Sequence, residues 1–143
     1  MGQHGDGHLN DDLARMRGAD DVASEMGMVV RRADADGAEV AMTVTPSMTN
    51  GFDVGHGGLI FTLADTAMAY ASNASGGTTL ATTASIEWLT AVRAGDHLLA
   101  VCRGIGRRGR NSIWDVEVVR SDGTPVALFR GQTLTLGGAT SGD

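Results

Sequence analysis

The chain has 143 residues, 42% apolar and 20% charged, the make-up of one globular domain; 21 glycines against two prolines, with no period, imply tight turns rather than collagen or disorder. A net charge of −6 excludes the broad basic footprint of a general nucleic-acid binder, so a polyanionic ligand must meet a local cluster of the eleven basic residues, all arginine. One cysteine excludes an internal disulfide, and with no charged-then-apolar leader visible a reducing cytoplasm is the expected location.

Residues 1–8 are rich in glycine and histidine and are expected to be disordered. His4 and His8 lie four apart, but Asp6 alone does not complete a metal set, and no metal is expected. Leu9, Leu13 and Met16 recur at helical spacing behind Asn10 or Asp11 as cap, giving a short helix that ends near Gly18. Two Val- and Met-rich runs, 26–32 and 38–45, flank the turn residues Asp34 to Gly37 and read as a hairpin. Residues 1–20 thus form a tail and short helix, 21–137 the main domain, and 138–143 a loose tail.

The stretch from Asn50 to Asn73 dominates the chain. A glycine-rich loop enters a helix whose only polar side chains between Leu59 and Ala71 are Thr62, Asp65, Thr66 and Tyr70. Such a helix belongs in a core, and about 13 residues are too few for a bilayer, which needs about 20. An ionised carboxylate at its centre costs several kcal/mol unless paired or wet. Either Asp65 sits on the rim and bonds Thr62 or Thr66, or it is kept for chemistry. The entry His56-Gly57-Gly58 favours chemistry: orphan N–H groups at a helix start can hold a carbonyl oxygen as it becomes negative.

Beyond Gly76-Gly77, which close the helix, the pattern has period two. Runs 80–89, 97–105, 112–120 and 125–136 read as four strands, with turns at 93–96, 106–111 and 121–123. Two strands, a buried helix and four strands make an α+β antiparallel sheet of about six strands wrapped around a central helix. So short a chain leaves strand edges uncovered, which predicts a dimer.

The run Asn50-Gly51-x4-His56-Gly57-Gly58-x2-Phe61-x-Leu63-Ala64-Asp65-Thr66-Ala67-x-Ala69 resembles the signature of PaaI-type (phenylacetic acid degradation) acyl-CoA thioesterases of the hotdog superfamily. The likeness continues through Ile86-Glu87-Trp88-Leu89, Ala94-Gly95-Asp96, Gly109-Arg110 and Val126-Ala127-Leu128-Phe129-x-Gly131, covering residues 25–136. It implies a hotdog fold, a dimer or dimer of dimers (a homotetramer), and hydrolysis of an acyl-CoA to acid and CoA. No cofactor is implied, since coenzyme A belongs to the substrate, and neither a nucleic acid nor a membrane is an expected partner.

Carried over, the resemblance makes Asp65 the base or nucleophile, the Gly57 N–H the oxyanion donor, and His56 a loop-shaping residue that contacts the substrate carbonyl. Asn50 orients water or the carboxylate, and Thr82 (or Thr83) assists. Gly58, Thr66 and Phe61 would contact substrate, with Phe52, Leu59 and Met68 as further apolar lining. Gly57 and Asp65 lie about 12 Å apart along one helix, so they cannot reach one thioester within a subunit; Gly57 of one protomer is expected to work with Asp65 of its partner.

Arg107, Arg108 and Arg110, with Asn111, offer guanidiniums for the CoA phosphates, the other reading being a solvated hairpin. Cys102 lies mid-strand without a histidine and reads as packed and inert. Trp88 and Trp114 read as core or interface residues. The rival functions are a non-catalytic acyl-CoA sensor and a hotdog enoyl-CoA hydratase, for which the D-x-N-P-x-H pattern is missing.

Overall fold

A computed structural model describes residues 5–137. The element order is α1 (Asp11–Ala19), α2 (Asp21–Glu25), β1 (Val29–Asp34), β2 (Gly37–Thr43), a 3-10 turn (Pro46–Met48), α3 (Gly57–Asn73), β3 (Thr78–Trp88), β4 (His97–Arg108), β5 (Asn111–Arg120) and β6 (Pro125–Gly137). The strands form one antiparallel sheet in the order β1-β2-β4-β5-β6-β3, and α3 packs across it. The expected architecture is present, with α2 as an element the periodicity does not show.

Alternation along the strands turns Val40, Met42, Ala100, Cys102, Val116, Val118 and Phe129 inward, where they meet Leu63, Ala64, Ala67, Met68 and Ala71 of α3. The helix carries small residues where it crosses the sheet, so backbone approaches backbone. A Cβ at Gly131 would run into the Met68 sulfur, which fixes a glycine beneath the middle of α3. Gly76 and Gly77, both at positive φ (85° and 77°), turn the chain from α3 into β3.

The two sheet edges differ. Along β1, the Gly7 N–H donates to the Val30 carbonyl at 2.9 Å and the Val30 N–H donates to Asp6 Oδ1 at 2.7 Å, so the N-terminal segment covers that edge. The expectation of disorder through His8 therefore fails for Asp6 and Gly7. Asp6 is also held by Arg17, whose Nε lies 3.3 Å from Oδ2 and whose other nitrogens donate to Ser24 Oγ and the Met28 carbonyl. His4 and the expected loose tail 138–143 lie outside the described residues.

Among the described residues the β3 edge has no such cover. Most of β3 is exposed on both faces, Leu80 and Trp88 at 55% and 54%, and the adjoining face of α3 is only half-buried. No helix among the described residues is long and apolar enough to cross a membrane.

Candidate active site

The loop before α3 is built by Asn50. Its Oδ1 accepts the Phe52 and Val54 N–H groups at 2.8 and 3.3 Å, an Asx turn that lets Asp53 adopt φ 62°. The loop is tied down by Gly55 N–H to the Val92 carbonyl (2.7 Å) and by His56 N–H to the Met48 carbonyl (2.8 Å). The Asn50 oxygen thus shapes the loop, while Phe52 projects into solvent at 86% exposure.

A helix start leaves its first N–H groups without helical acceptors. Here nearly all are accounted for. His56 is the N-cap and its own N–H is bonded; Nδ1 of its ring accepts the Gly58 N–H at 3.1 Å, which fixes the ring proton on Nε2; the Leu59 N–H donates to the His56 carbonyl at 3.0 Å. Of the N–H groups that open α3, only that of Gly57 has no acceptor among the described residues. It stands at the positive end of a 17-residue helix.

Two turns on, Asp65 is half-buried and has no hydrogen-bond partner among the described residues. The rim alternative required Thr62 or Thr66 to bond it. Both hydroxyls instead donate back along the helix, Thr62 to the Gly58 carbonyl at 2.9 Å and Thr66 to the Thr62 carbonyl at 2.7 Å. Burial alone pushes the Asp65 carboxyl above the ordinary aspartate range. A carboxylate kept partly dry with both oxygens unengaged is a candidate reactive group.

The other candidate residues do not converge on Asp65 within one protomer. The Thr82 hydroxyl, at a bulge in β3, donates to the Gln132 carbonyl at 3.2 Å. Phe61 packs edge-on against Phe129, ring centroids 5.3 Å apart, and Met68 is buried, so both serve the core of this subunit. Phe52 lies in solvent and so does not line a pocket with them in one chain.

The arginine cluster is split by the sheet. Arg107 pairs with Ser112, and both line a cavity of about 300 Å³ between the end of α3 (Ser72), Ser75 just beyond it, and Trp114. The next pair, Arg108 and Asn111, falls on the opposite face by strand alternation, where Asn111 Oδ1 accepts from Gln132 Nε2 at 3.1 Å. Among the described residues, five arginines (15, 17, 32, 120 and 130) sit within 4 Å of a carboxylate; Arg107, Arg108 and Arg110 do not, nor do Arg31, Arg93 and Arg103.

Trp88 lies against the start of α3, which local pattern does not show. Its indole N–H donates to the Gly57 carbonyl at 3.1 Å, across 31 residues of sequence, so no local spacing signals it.

The geometry has counterparts among known proteins. The thioesterase superfamily model matches residues 52–127. The chain is 38% identical over 124 residues to acyl-coenzyme A thioesterase PaaI of Escherichia coli K12, covering 87% of this chain and 89% of that protein. The solved E. coli PaaI from the phenylacetic acid degradation operon superposes with a TM-score of 0.85 at 36% identity, over 89% of this chain and 92% of that one. A mutant of the phenylacetic acid degradation protein PaaI from Thermus thermophilus gives 0.78 at 30% identity, over 82% and 100%. A hotdog sheet around α3, an unpartnered carboxylate on that helix and these relatives together make the chain a member of the thioesterase superfamily, an acyl-CoA thioesterase of the PaaI type.

Proposed function

We propose that the protein hydrolyses an aryl-acyl-CoA, phenylacetyl-CoA or a ring-hydroxylated form, in the cytoplasm, at a site shared between two protomers of a dimer that pairs further into a tetramer. The observation that carries this reading is the pair of unengaged groups on α3: the Gly57 N–H and the Asp65 carboxylate. They lie about 12 Å apart along one uninterrupted helix, and each has the chemistry the other lacks. Pairing two protomers through the open β3 edge lays the half-buried faces of two α3 helices together, antiparallel, which brings Gly57 of one toward Asp65 of the other.

There the Gly57 N–H and the helix dipole polarise the thioester carbonyl. Asp65 either takes a proton from the attacking water or attacks the carbonyl carbon itself, releasing CoA thiolate and leaving an anhydride that water cleaves. Its raised proton affinity makes it the better base near neutral pH. The nucleotide phosphates meet guanidiniums of the hairpin that carries Arg107, Arg108 and Arg110, three of the arginines with no carboxylate within 4 Å among the described residues, Arg107 and Arg108 serving opposite faces of the sheet.

The test is thiol release from a panel of acyl-CoAs, phenylacetyl-CoA included, by wild type and by Asp65→Asn. Aryl-acyl substrates should lead the panel in kcat/KM, and the variant should lose about 10³-fold in kcat with acyl-CoA binding retained. Preference for straight-chain acyl groups would overturn the substrate assignment, and an active Asp65→Asn the catalytic one.

A further inference from the structure

A Gly-Gly pair in the first turn of a helix is a poor place to fix a catalytic donor. Helix ends fray, and two residues without Cβ have the widest choice of backbone conformations. Yet an oxyanion donor must sit within a few tenths of an ångström of its position, since a misplacement of about 1 Å costs on the order of 10²-fold in rate. Something must hold residues 57 and 58 still.

Two side chains do so. The peptide group joining Gly57 to Gly58 is gripped at both ends: His56 Nδ1 takes its N–H at 3.1 Å, and the Trp88 indole N–H donates to its C=O at 3.1 Å. Both glycines are shaped to the grip. A Cβ on Gly57 would stand 3.1 Å from the Trp88 ring, and a Cβ on Gly58 would stand 3.2 Å from His56 Nδ1. Trp88 keeps this position although it is 54% exposed in the protomer and ends an edge strand, so burial alone does not hold it there.

We infer that Trp88 is a positioning residue for thioester hydrolysis: with His56 it clamps the Gly57–Gly58 peptide and so fixes the direction of the neighbouring Gly57 N–H. It touches neither the water nor the thioester in this role. Its contribution comes from the indole N–H rather than the ring's bulk, and it is expressed in kcat.

This inference rests on Gly57 as the oxyanion donor, so the experiment separates the two. Trp88→Phe keeps an aromatic ring and removes the N–H; Trp88→Leu removes both. Gly57→Pro removes the oxyanion N–H, since proline suits the first helical position and His56, at ψ 129°, is already in the conformation required before it; its Cβ, 3.1 Å from the Trp88 ring, also presses on the clamp, so only a loss beyond that of Trp88→Leu reports the N–H. Steady-state thiol release should show kcat down about tenfold in both Trp88 variants, KM within twofold of wild type and thermal midpoints unchanged. Gly57→Pro should lose about 10²-fold or more.

Loss in Trp88→Leu but not in Trp88→Phe would assign the effect to ring packing and overturn the clamp. A rise in KM at constant kcat would make Trp88 a wall of the substrate site and overturn it likewise. Full activity in Gly57→Pro would instead overturn the oxyanion assignment.

Discussion

Asp6 and Asp65 are both withdrawn from water, and the chain treats them in opposite ways. Asp6 is in the N-terminal segment that covers β1, its side chain 1% exposed; one oxygen takes the Val30 N–H and the other faces Arg17. Asp65 is in the middle of α3, and the neighbouring Thr62 and Thr66 hydroxyls turn away from it to backbone carbonyls. A buried charge is tolerated when it is paired, and pairing makes it inert. In the proposed mechanism, leaving Asp65 unpaired sacrifices stability to keep a carboxylate available, which would assign stability and reactivity to different aspartates.

The widest separation between them should come from matched substitutions. Asp65→Asn should abolish most thiol release while leaving the thermal midpoint at neutral pH equal to or above that of wild type. Asp6→Ala should do the reverse. It strands the Arg17 guanidinium in the interior and should cost about 3–5 kcal/mol in denaturant unfolding, with kcat unchanged at temperatures where the variant is folded. An Asp6→Ala protein of normal stability would show that the clasp is ornamental.

A pH series sharpens the contrast. Because burial raises the folded-state Asp65 above its unfolded value, its stabilising contribution is present below the unfolded value and lost as pH rises through the folded one. The stability gap between Asp65→Asn and wild type should therefore widen with rising pH across that window. The acid limb of wild-type kcat should fall at a pH above the ordinary aspartate value of about 4; a limb at or below that value would remove the desolvation argument.

The smallest effect concerns the joint between the two regions. The Tyr70 hydroxyl of α3 donates to Asp20 Oδ2 at 3.0 Å, and burial, then the Asp20 charge, hold the phenol well above its ordinary value. Tyr70→Phe should cost about 1 kcal/mol in unfolding without altering kcat, and a change in kcat would mean that the N-terminal helices communicate with the site.

How much of this is legible in the sequence depends on distance along the chain. The period of α3, the alternation of β3 to β6 and the loop motif at residues 50–58 are local signals, and the elements form where those signals lie. Asn10 caps α1 as its side chain and position suggest, accepting from the Leu13 N–H. The burial of Asp6 depends on Arg17 and Val30, and no local pattern encodes a pairing across 24 residues. Arg107 and Arg108 are neighbours in sequence and group together on that ground; strand alternation places them on opposite faces. Asn50 and Thr82 have the residue type of catalytic groups, but type alone cannot show that their side chains already bond the loop and β6. Trp88 is legible as a strand residue, while its bond to Gly57 exists only once β3 lies beside the start of α3.

Cys102 sits on β4 with no exposed surface, and burial, then the nearby Asp115 charge, push its thiol up to about 12. A thiol-reactive dye following CoA release therefore meets no competing sulfur in the native enzyme, and the assay carries no background from the catalyst. Once the sheet opens, that one sulfur becomes reactive. The dye that counts turnovers thus also counts unfolded chains, one equivalent each, so a variant that has lost its chemistry and a variant that has lost its fold give different traces in the same cuvette.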